Sequence, residues 1–414
     1  MNPLPPFLLP VRSRIFYSRV MGASLHVWSY YGLRSQTWLY RLLKNVHRYP
    51  PTLLLREAWI AGCDLGEFPW PSERIRFFPR RSYPARAFAK IGPWLRSGRM
   101  DVLNSLDAAF VRRLCRELNA EILHVHFGWL ATAILGARPD FGAHTVVSAY
   151  GSDVVRTTNR DGYLAQLASL LKQEIPFIVE SQFLKDVLLG MGASPRSVSV
   201  VPVGISIDEL PGEDITRQRC ATRMAARPIR LLTVGRLVDY KAPQQLPTVA
   251  RILRDAGLEF QWNVVGEGPL MKEVVRNARD LGVAERFVLR GSIPASELHD
   301  LQWDTDIMVH NAIVAPDGGR ECLGVALIEA GALGIPVVSC KVGGIPEVIV
   351  DDVTGFLVES GDLPGMAEKV MRLCRDAELR LTIGLAALAH TRRAFDSKLL
   401  AQRLESVYDA QLAS

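Results

Sequence analysis

From residue 120 onward the chain repeats one local plan. A short β-branched or apolar run ends in a glycine-bearing turn, and an amphipathic stretch follows. The runs are Ile122–His126, Thr145–Tyr150, Phe177–Glu180, Val198–Val203, Ile229–Val234, Gln261–Val265, Phe287–Leu289, Asp306–His310 and Pro336–Ser339. Between them lie helical patterns such as Tyr163–Gln173, Phe183–Met191, Pro243–Ala256, Met271–Leu281 and Val325–Leu333. Strands alternating with helices of this length form right-handed βαβ units on a parallel sheet. So many runs ask for two sheets, and 414 residues suit two or three domains at ~100–200 residues each.

The predicted fold class is α/β, with two doubly wound Rossmann-like lobes facing across a cleft and a C-terminal helix. Asp208 to Pro228 is the best boundary, being polar, carrying Pro211, Gly212 and Pro228, and lacking a clear hydrophobic period. It divides an N-terminal lobe, 1–208, from a C-terminal lobe, 228–390. Residues 391–414 read as a final helix with Phe395, Leu399, Leu400, Leu404 and Tyr408 on one side. Ligands of such lobes sit outside the carboxyl ends of the strands, which here means the cleft.

The first 120 residues are harder to parse. Leu25–Ser29 is a candidate strand, Ser35 to Asn45 a helix, and Thr52–Leu55 a second strand. Arg74–Trp94 reads as an irregular or partly helical surface segment. Met1–Val11 is apolar but broken by prolines and lacks a basic flank, so we expect an irregular leader. This part holds 19 Lys and Arg against 7 Asp and Glu, whereas the remainder holds 30 against 36. Aromatics interleave with the arginines. Such a face can meet an anionic membrane or acceptor, or nucleic acid, or only solvent. We favour the first reading and expect no nucleic-acid partner.

Hydrophobic residues at 48% and charged residues at 22% exclude a disordered chain. No apolar run reaches the ~18 residues of a spanning helix. Six scattered cysteines with no CxxC pair argue against a disulfide scaffold or structural zinc, and for a reducing compartment. A cytoplasmic location, with peripheral attachment to the inner face of the plasma membrane, is the expectation.

Three motifs fall where strands end. Gly235 and Arg236 follow the run Ile229–Val234, with Lys241 five residues on. A glycine turn carrying one forked and one point cation suits a diphosphate, or is a solvated basic loop. Val264-Val265-Gly266-Glu267-Gly268-Pro269 lets backbone approach a ligand, or is a structural turn; Met271 stands where a dinucleotide fingerprint needs its third glycine. The third motif runs from Gly319 to Ala330, with Glu321 at a helix entrance and Glu329 inside the helix. Eight positions are a little over two turns, so both carboxylates can face one edge. The loop Glu321-Cys322-Leu323-Gly324-Val325 offers helix N-terminal N–H groups to an anion. Glu321 can accept sugar hydroxyls and Glu329 a ribose diol, or both serve only the helix and its ion pairs. Gly343-Gly344-Ile345-Pro346-Glu347 repeats the glycine loop into a helix.

The set GRL-x3-K, VVGEGP, E-x7-E and G-x-P-VV-x4-GGIPE, ending in Asp352-x-Thr354-Gly355-Phe356-Leu357-Val358, resembles the retaining GT-B-fold glycosyltransferases of family four. The resemblance spans about residues 120–410 and is densest over 230–360. It implies a nucleotide diphosphate sugar held by the C-terminal lobe, as co-substrate rather than cofactor, with Arg236 and Lys241 on the diphosphate, Glu329 on ribose and Glu321 on the donor sugar. It places Gly235, Gly266, Arg290, Cys322, Leu323, Gly324 and Val325 around the donor. Gly32, His126, Tyr150 and Asp153 are acceptor-side candidates, and for His126 a structural hydrogen bond is the other reading. Ser35-Gln36-Thr37, Asp317-Gly318-Gly319 and His124-x-His126-Phe127-Gly128 resemble transferases of exopolysaccharide and colanic-acid assembly.

Several positions depart from the family. Tyr150 stands where a histidine usually precedes Gly-x-Asp, and keeps a hydroxyl but no cationic form. Cys322 replaces a common glycine, Ala326 a common proline, and Ala242 the usual glycine after Lys241. No DxD-type metal motif stands out, so no divalent metal is expected to be required. The expected function is transfer of a sugar, with retained configuration, to a hydroxyl of a glycan or lipid-linked acceptor. The alternative is a catalytically silent scaffold of a polysaccharide assembly complex.

Overall fold

The apolar runs pair as parallel strands in both halves of the computed structural model, which describes residues 23–30, 37–57, 69–79, 105–136, 140–156, 161–222 and 228–413. The first sheet contains β1 (Ala23–Tyr30), β2 (Pro51–Glu57), β3 (Ile75–Phe77), β4 (Ala120–His126), β5 (His144–Ala149), β6 (Phe177–Val179) and β7 (Val198–Val200). Its order is β3-β2-β1-β4-β5-β6-β7. The second contains β8 (Ile229–Val234), β9 (Phe260–Val265), β10 (Phe287–Gly291), β11 (Ile307–His310), β12 (Val337–Cys340) and β13 (Gly355–Val358), in the order β10-β9-β8-β11-β12-β13. In both sheets the order reverses between two adjacent strands, β1 and β4 in one, β8 and β11 in the other. A crevice opens at such a point beyond the carboxyl ends.

Helices cover both faces, so the central strands are apolar at every position rather than alternating. All residues of β11, β12 and β13 are buried. Trp262 is fully buried on β9, and its indole N–H donates to Thr233 Oγ1 at 3.0 Å. Thr233 in turn donates to the Val309 carbonyl at 2.6 Å, so this core polar pair is satisfied.

Three elements differ from the sequence expectation. β3 lies inside the segment expected to be irregular, pairing with β2 through Leu53–Ile75, Leu54–Arg76 and Leu55–Phe77; residues 80–94 of that segment lie outside the described residues. β13 was not anticipated as a strand. The polar stretch 208–228 holds a helix, Glu213–Thr222. Its buried stripe is Thr216, Arg219 and Cys220, which explains why no hydrophobic period was visible. Arg219 donates to the carbonyls of Trp303 at 2.8 Å and Leu333 at 3.2 Å, tying the helix to the second lobe.

The final helix, Ser397–Leu412, returns to the first lobe. Ser397 Oγ accepts from Asn45 at 3.1 Å, Glu405 accepts from the backbone of His47 and Arg48 at 2.7 Å, and Tyr49 donates to Asp409 at 2.7 Å. The five described cysteines are free thiols. Among the described residues, no helix is long and apolar enough to cross a membrane.

Candidate active site between the lobes

The switch point of the second lobe gathers the cationic loop. Gly235 leaves β8 with φ 149°, and Lys241 folds back over it, so a Cβ there would lie 3.1 Å from Nζ. Gly266 ends β9 with φ 132°, and a Cβ there would fall 2.0 Å from the Gly235 carbonyl oxygen. These glycines therefore let two loops lie against each other, a structural reason for both motifs. Ala242 holds φ 38° and ψ 47°, a left-handed conformation that costs an alanine about 1 kcal/mol and that glycine would adopt freely.

Lys241 Nζ reaches Glu321 Oε2 at 2.6 Å, and His310 Nε2, from the end of β11, lies 3.2 Å from the same oxygen. Burial would raise the Glu321 carboxyl, but Lys241 and His310 together outweigh it and hold the group well below the usual carboxylate range. Burial, aided by Lys241, holds His310 below its ordinary value despite Glu321, so it is a neutral imidazole and the ion pair is Lys241–Glu321. Gly343 and Gly344 pass directly over this loop; a Cβ on either would fall within 1.9 Å of the Glu321 or Cys322 carbonyl oxygen. Gly324, at φ 91°, turns the chain into the helix Val325–Ala332, whose first N–H groups face the loop.

The predicted donor residues do not all converge. Arg236 donates to the Tyr240 hydroxyl at 2.9 Å rather than joining Lys241 on one point. Arg156, which sequence reading passed over, lies over the same Tyr240 ring at 5.7 Å and pairs with Asp317 at 3.4 Å. Glu329 is held across the cleft by Arg41 at 2.7 Å. Arg290, on β10, donates to Asn263 at 3.1 Å. Leu323 is buried in the core. Cys322 is 6% exposed and packs among first-lobe residues; a Cβ on Gly151 would lie 2.3 Å from its Sγ. Burial pushes that thiol up, so it is neutral packing rather than a nucleophile. Glu347 closes the lobes together by accepting from the N–H groups of Gln182 and Phe183, at 2.7 and 2.9 Å, at the start of the helix Gln182–Gly190.

On the first lobe, Gly32 lies outside the described residues. His126 and Asp153, expected on the acceptor side, lie beneath the cleft surface with no exposure. The Asp153 carboxylate accepts from the N–H of Gly128 at 2.7 Å and of Tyr150 at 2.9 Å, bracing the loops after β4 and β5. His126 belongs to a directed hydrogen-bond chain. Ser24 donates to the Tyr49 carbonyl at 2.7 Å, so its oxygen accepts from His26 Nε2 at 3.0 Å. His26 Nδ1 then accepts from His126 Nε2 at 2.9 Å, and His126 Nδ1 accepts from the Tyr150 hydroxyl at 2.7 Å. Burial holds His26 down at about 3 and His126 well below its ordinary value, so the rings are neutral as the chain requires. His124 completes a group of three imidazoles close enough to chelate a metal. Its nitrogens are already bonded to Tyr408 at 2.6 Å and Ser148 at 2.7 Å. Hydrogen bonding thus accounts for every ring nitrogen. Tyr150 spends its proton on His126. Glu180, at the end of β6, is a second residue missed in the sequence; it is buried beside Gly151.

Two parallel lobes with a cation-lined switch point facing a helix entrance define a GT-B-type protein. Residues 214–389 match the family described as Glycosyl transferases group 1. The chain is 28% identical over 293 residues to the amylovoran biosynthesis glycosyltransferase AmsK of Erwinia amylovora, covering 70% of each. It is 23% identical to WcaL of Escherichia coli strain K12, named for colanic acid biosynthesis, over 64% of each. In fold it is similar to Anabaena Alr3699/HepE in complex with UDP, with a TM-score of 0.72 and 18% identity over 94% of this chain and all of that one. WaaG, a glycosyltransferase involved in lipopolysaccharide biosynthesis, gives 0.63 and 16% over 93% and 99%. The matched segment lies in the second lobe, and the relatives named here are similar to this chain over both lobes.

Proposed function

We propose that this chain is a glycosyltransferase of exopolysaccharide biosynthesis and moves a sugar from a nucleotide diphosphate sugar to a hydroxyl of a glycan or lipid-linked acceptor, with retention of configuration. The observation that carries the reading is the partly buried Lys241–Glu321 pair at the switch point of the second lobe. A bound diphosphate would share Lys241 with Glu321 and draw Arg236 from Tyr240. The helix start after Gly324 would add fixed N–H dipoles, so charge developing on the leaving diphosphate meets preorganised donors. Glu321 would accept hydroxyls of the donor sugar, and Glu329 would turn from Arg41 to ribose. The structures of HepE with UDP and with UDP-glucose support a nucleotide sugar on this fold. Among the described residues, no group stands out as an enzymic base. The leaving phosphate is the proposed acceptor of the proton from the incoming hydroxyl.

Thermal unfolding with UDP, GDP, ADP and TDP and their common sugar conjugates tests this reading. One nucleotide at ~100 times its Kd should stabilise the wild type by about 2.7 kcal/mol, and Lys241→Ala should abolish the shift. No shift with any of them would put the silent scaffold first. We also propose that no divalent metal is required; turnover lost in EDTA and restored by magnesium or manganese would refute that. The basic first 120 residues support cytoplasmic, peripheral attachment to an anionic membrane. Binding to anionic vesicles at low salt, weakening as salt rises, is expected, and no binding at low salt would remove the proposal.

A further inference from the structure

Glu180 is 9% exposed at the carboxyl end of β6, where the two lobes meet. Among the described residues, no hydrogen-bond donor or cation reaches its carboxyl. Its electrostatic neighbours are the carboxyls of Glu321, Asp153 and Glu347. Tyr150 and Asp153 face it from the loop after β5, Glu321 and Cys322 from the loop of the second lobe, and Glu347 from the helix Ile345–Val348. Arg320, the cation of that loop, is spent on the Gly318 carbonyl at 3.1 Å and on the Phe183 ring at 5.7 Å. A Cβ on Gly151 would lie 4.0 Å from Glu180 Oε1 and 2.3 Å from Cys322 Sγ, so the carboxyl sits at the seam of the two loops.

A buried polar group left without an internal partner is costly, and it points to a ligand that completes it. We propose that the Glu180 carboxyl binds a hydroxyl of the transferred sugar from the first lobe, facing Glu321 from across the cleft, and so sets which donor sugar is accepted. The inference rests on the donor reading above. Burial, reinforced by Glu321, Asp153 and Glu347, pushes Glu180 up to about 8, so at neutral pH it is a carboxylic acid with one donor and one acceptor. Glu321 is ionised and can only accept. The two carboxyls thus offer a sugar complementary hydrogen-bonding groups from opposite walls.

The test is calorimetric binding of UDP, GDP, ADP and TDP, alone and as sugar conjugates, to wild type, Glu180→Gln and Glu180→Leu at pH 6.5 and pH 9. The free nucleotide should bind all three proteins alike. The gain contributed by the preferred sugar should fall about tenfold in Glu180→Leu and persist in Glu180→Gln, whose amide both donates and accepts. In the wild type that gain should shrink at pH 9, and in Glu180→Gln it should not. An unchanged sugar gain in Glu180→Leu, or equal weakening of free nucleotide and conjugate, would overturn the proposal while leaving the donor reading intact. No nucleotide binding to the wild type would remove both. Should Glu180→Leu fail to fold, the pH arm with Glu180→Gln decides.

Discussion

Lys241→Ala is expected to lose stability as well as donor binding, by about 3 kcal/mol at pH 8, with kcat/KM for transfer down about 10²–10³-fold. The stability loss arises because the substitution leaves Glu321, 14% exposed, without its cation. In the wild type the Glu321 pKa is depressed, so its contribution is present above the ordinary carboxylate pKa and lost as pH falls through the folded value. Without Lys241, burial dominates and the Glu321 pKa rises above its unfolded value. Its sign then reverses, and stability falls as pH rises. The gap between the two proteins should therefore widen from pH 4 to pH 8 as the stranded carboxyl ionises in the variant, and close only as pH falls through the depressed folded value of Glu321, read as thermal midpoints. Glu321→Gln added to Lys241→Ala removes the stranded charge and should recover most of the stability without recovering nucleotide binding. A pH-independent loss, or no recovery in the double variant, would mean that Lys241 acts through packing of its stem over Gly235.

Much of this arrangement was legible in the sequence because parallel strands buried on both faces read as unbroken apolar runs. Ile229–Val234 was bounded to the residue. The glycine positions were legible for a related reason: Gly235 and Gly266 hold conformations that favour glycine, and Gly343 and Gly344 cross a neighbouring backbone too closely for a side chain. What stayed hidden involves partners far apart in sequence. The helix Glu213–Thr222 buries an arginine face, so its period is polar. Nothing local announces that Arg41 will hold Glu329, 288 positions away, or that Tyr408 will meet His124. His126 reads either as a strand-end histidine near an acceptor or as a structural hydrogen-bonding group, and its neighbours show both ring nitrogens committed inside the protein. Glu180 ends an apolar run and resembles an ordinary solvated strand terminus, yet it is buried with neighbours from both lobes.

That burial gives Glu180 a pH signature independent of any ligand. Its pKa is raised from 4.5 to about 8, so the native state holds a proton that the unfolded chain has released between those values. Stability must then fall as pH rises through this window, by on the order of 5 kcal/mol for the full shift. Glu180→Gln should match the wild type closely at pH 4 and exceed it progressively from pH 5 to pH 9, as read by thermal midpoints at each pH. Other groups titrating at alkaline pH are common to both proteins and cancel in the difference. A constant gap across the range would mean that Glu180 is ionised when folded, paired by a cation from outside the described residues, and would count against its role as a hydrogen-bond donor to sugar. The same profile can be read with ligand bound. A sugar nucleotide that prefers the protonated carboxyl must raise its pKa further, shifting the alkaline fall of the wild type to higher pH, whereas the free nucleotide should leave the fall where it is. The displacement of that one slope connects the stability cost of an unpartnered carboxyl to the substrate that would complete it.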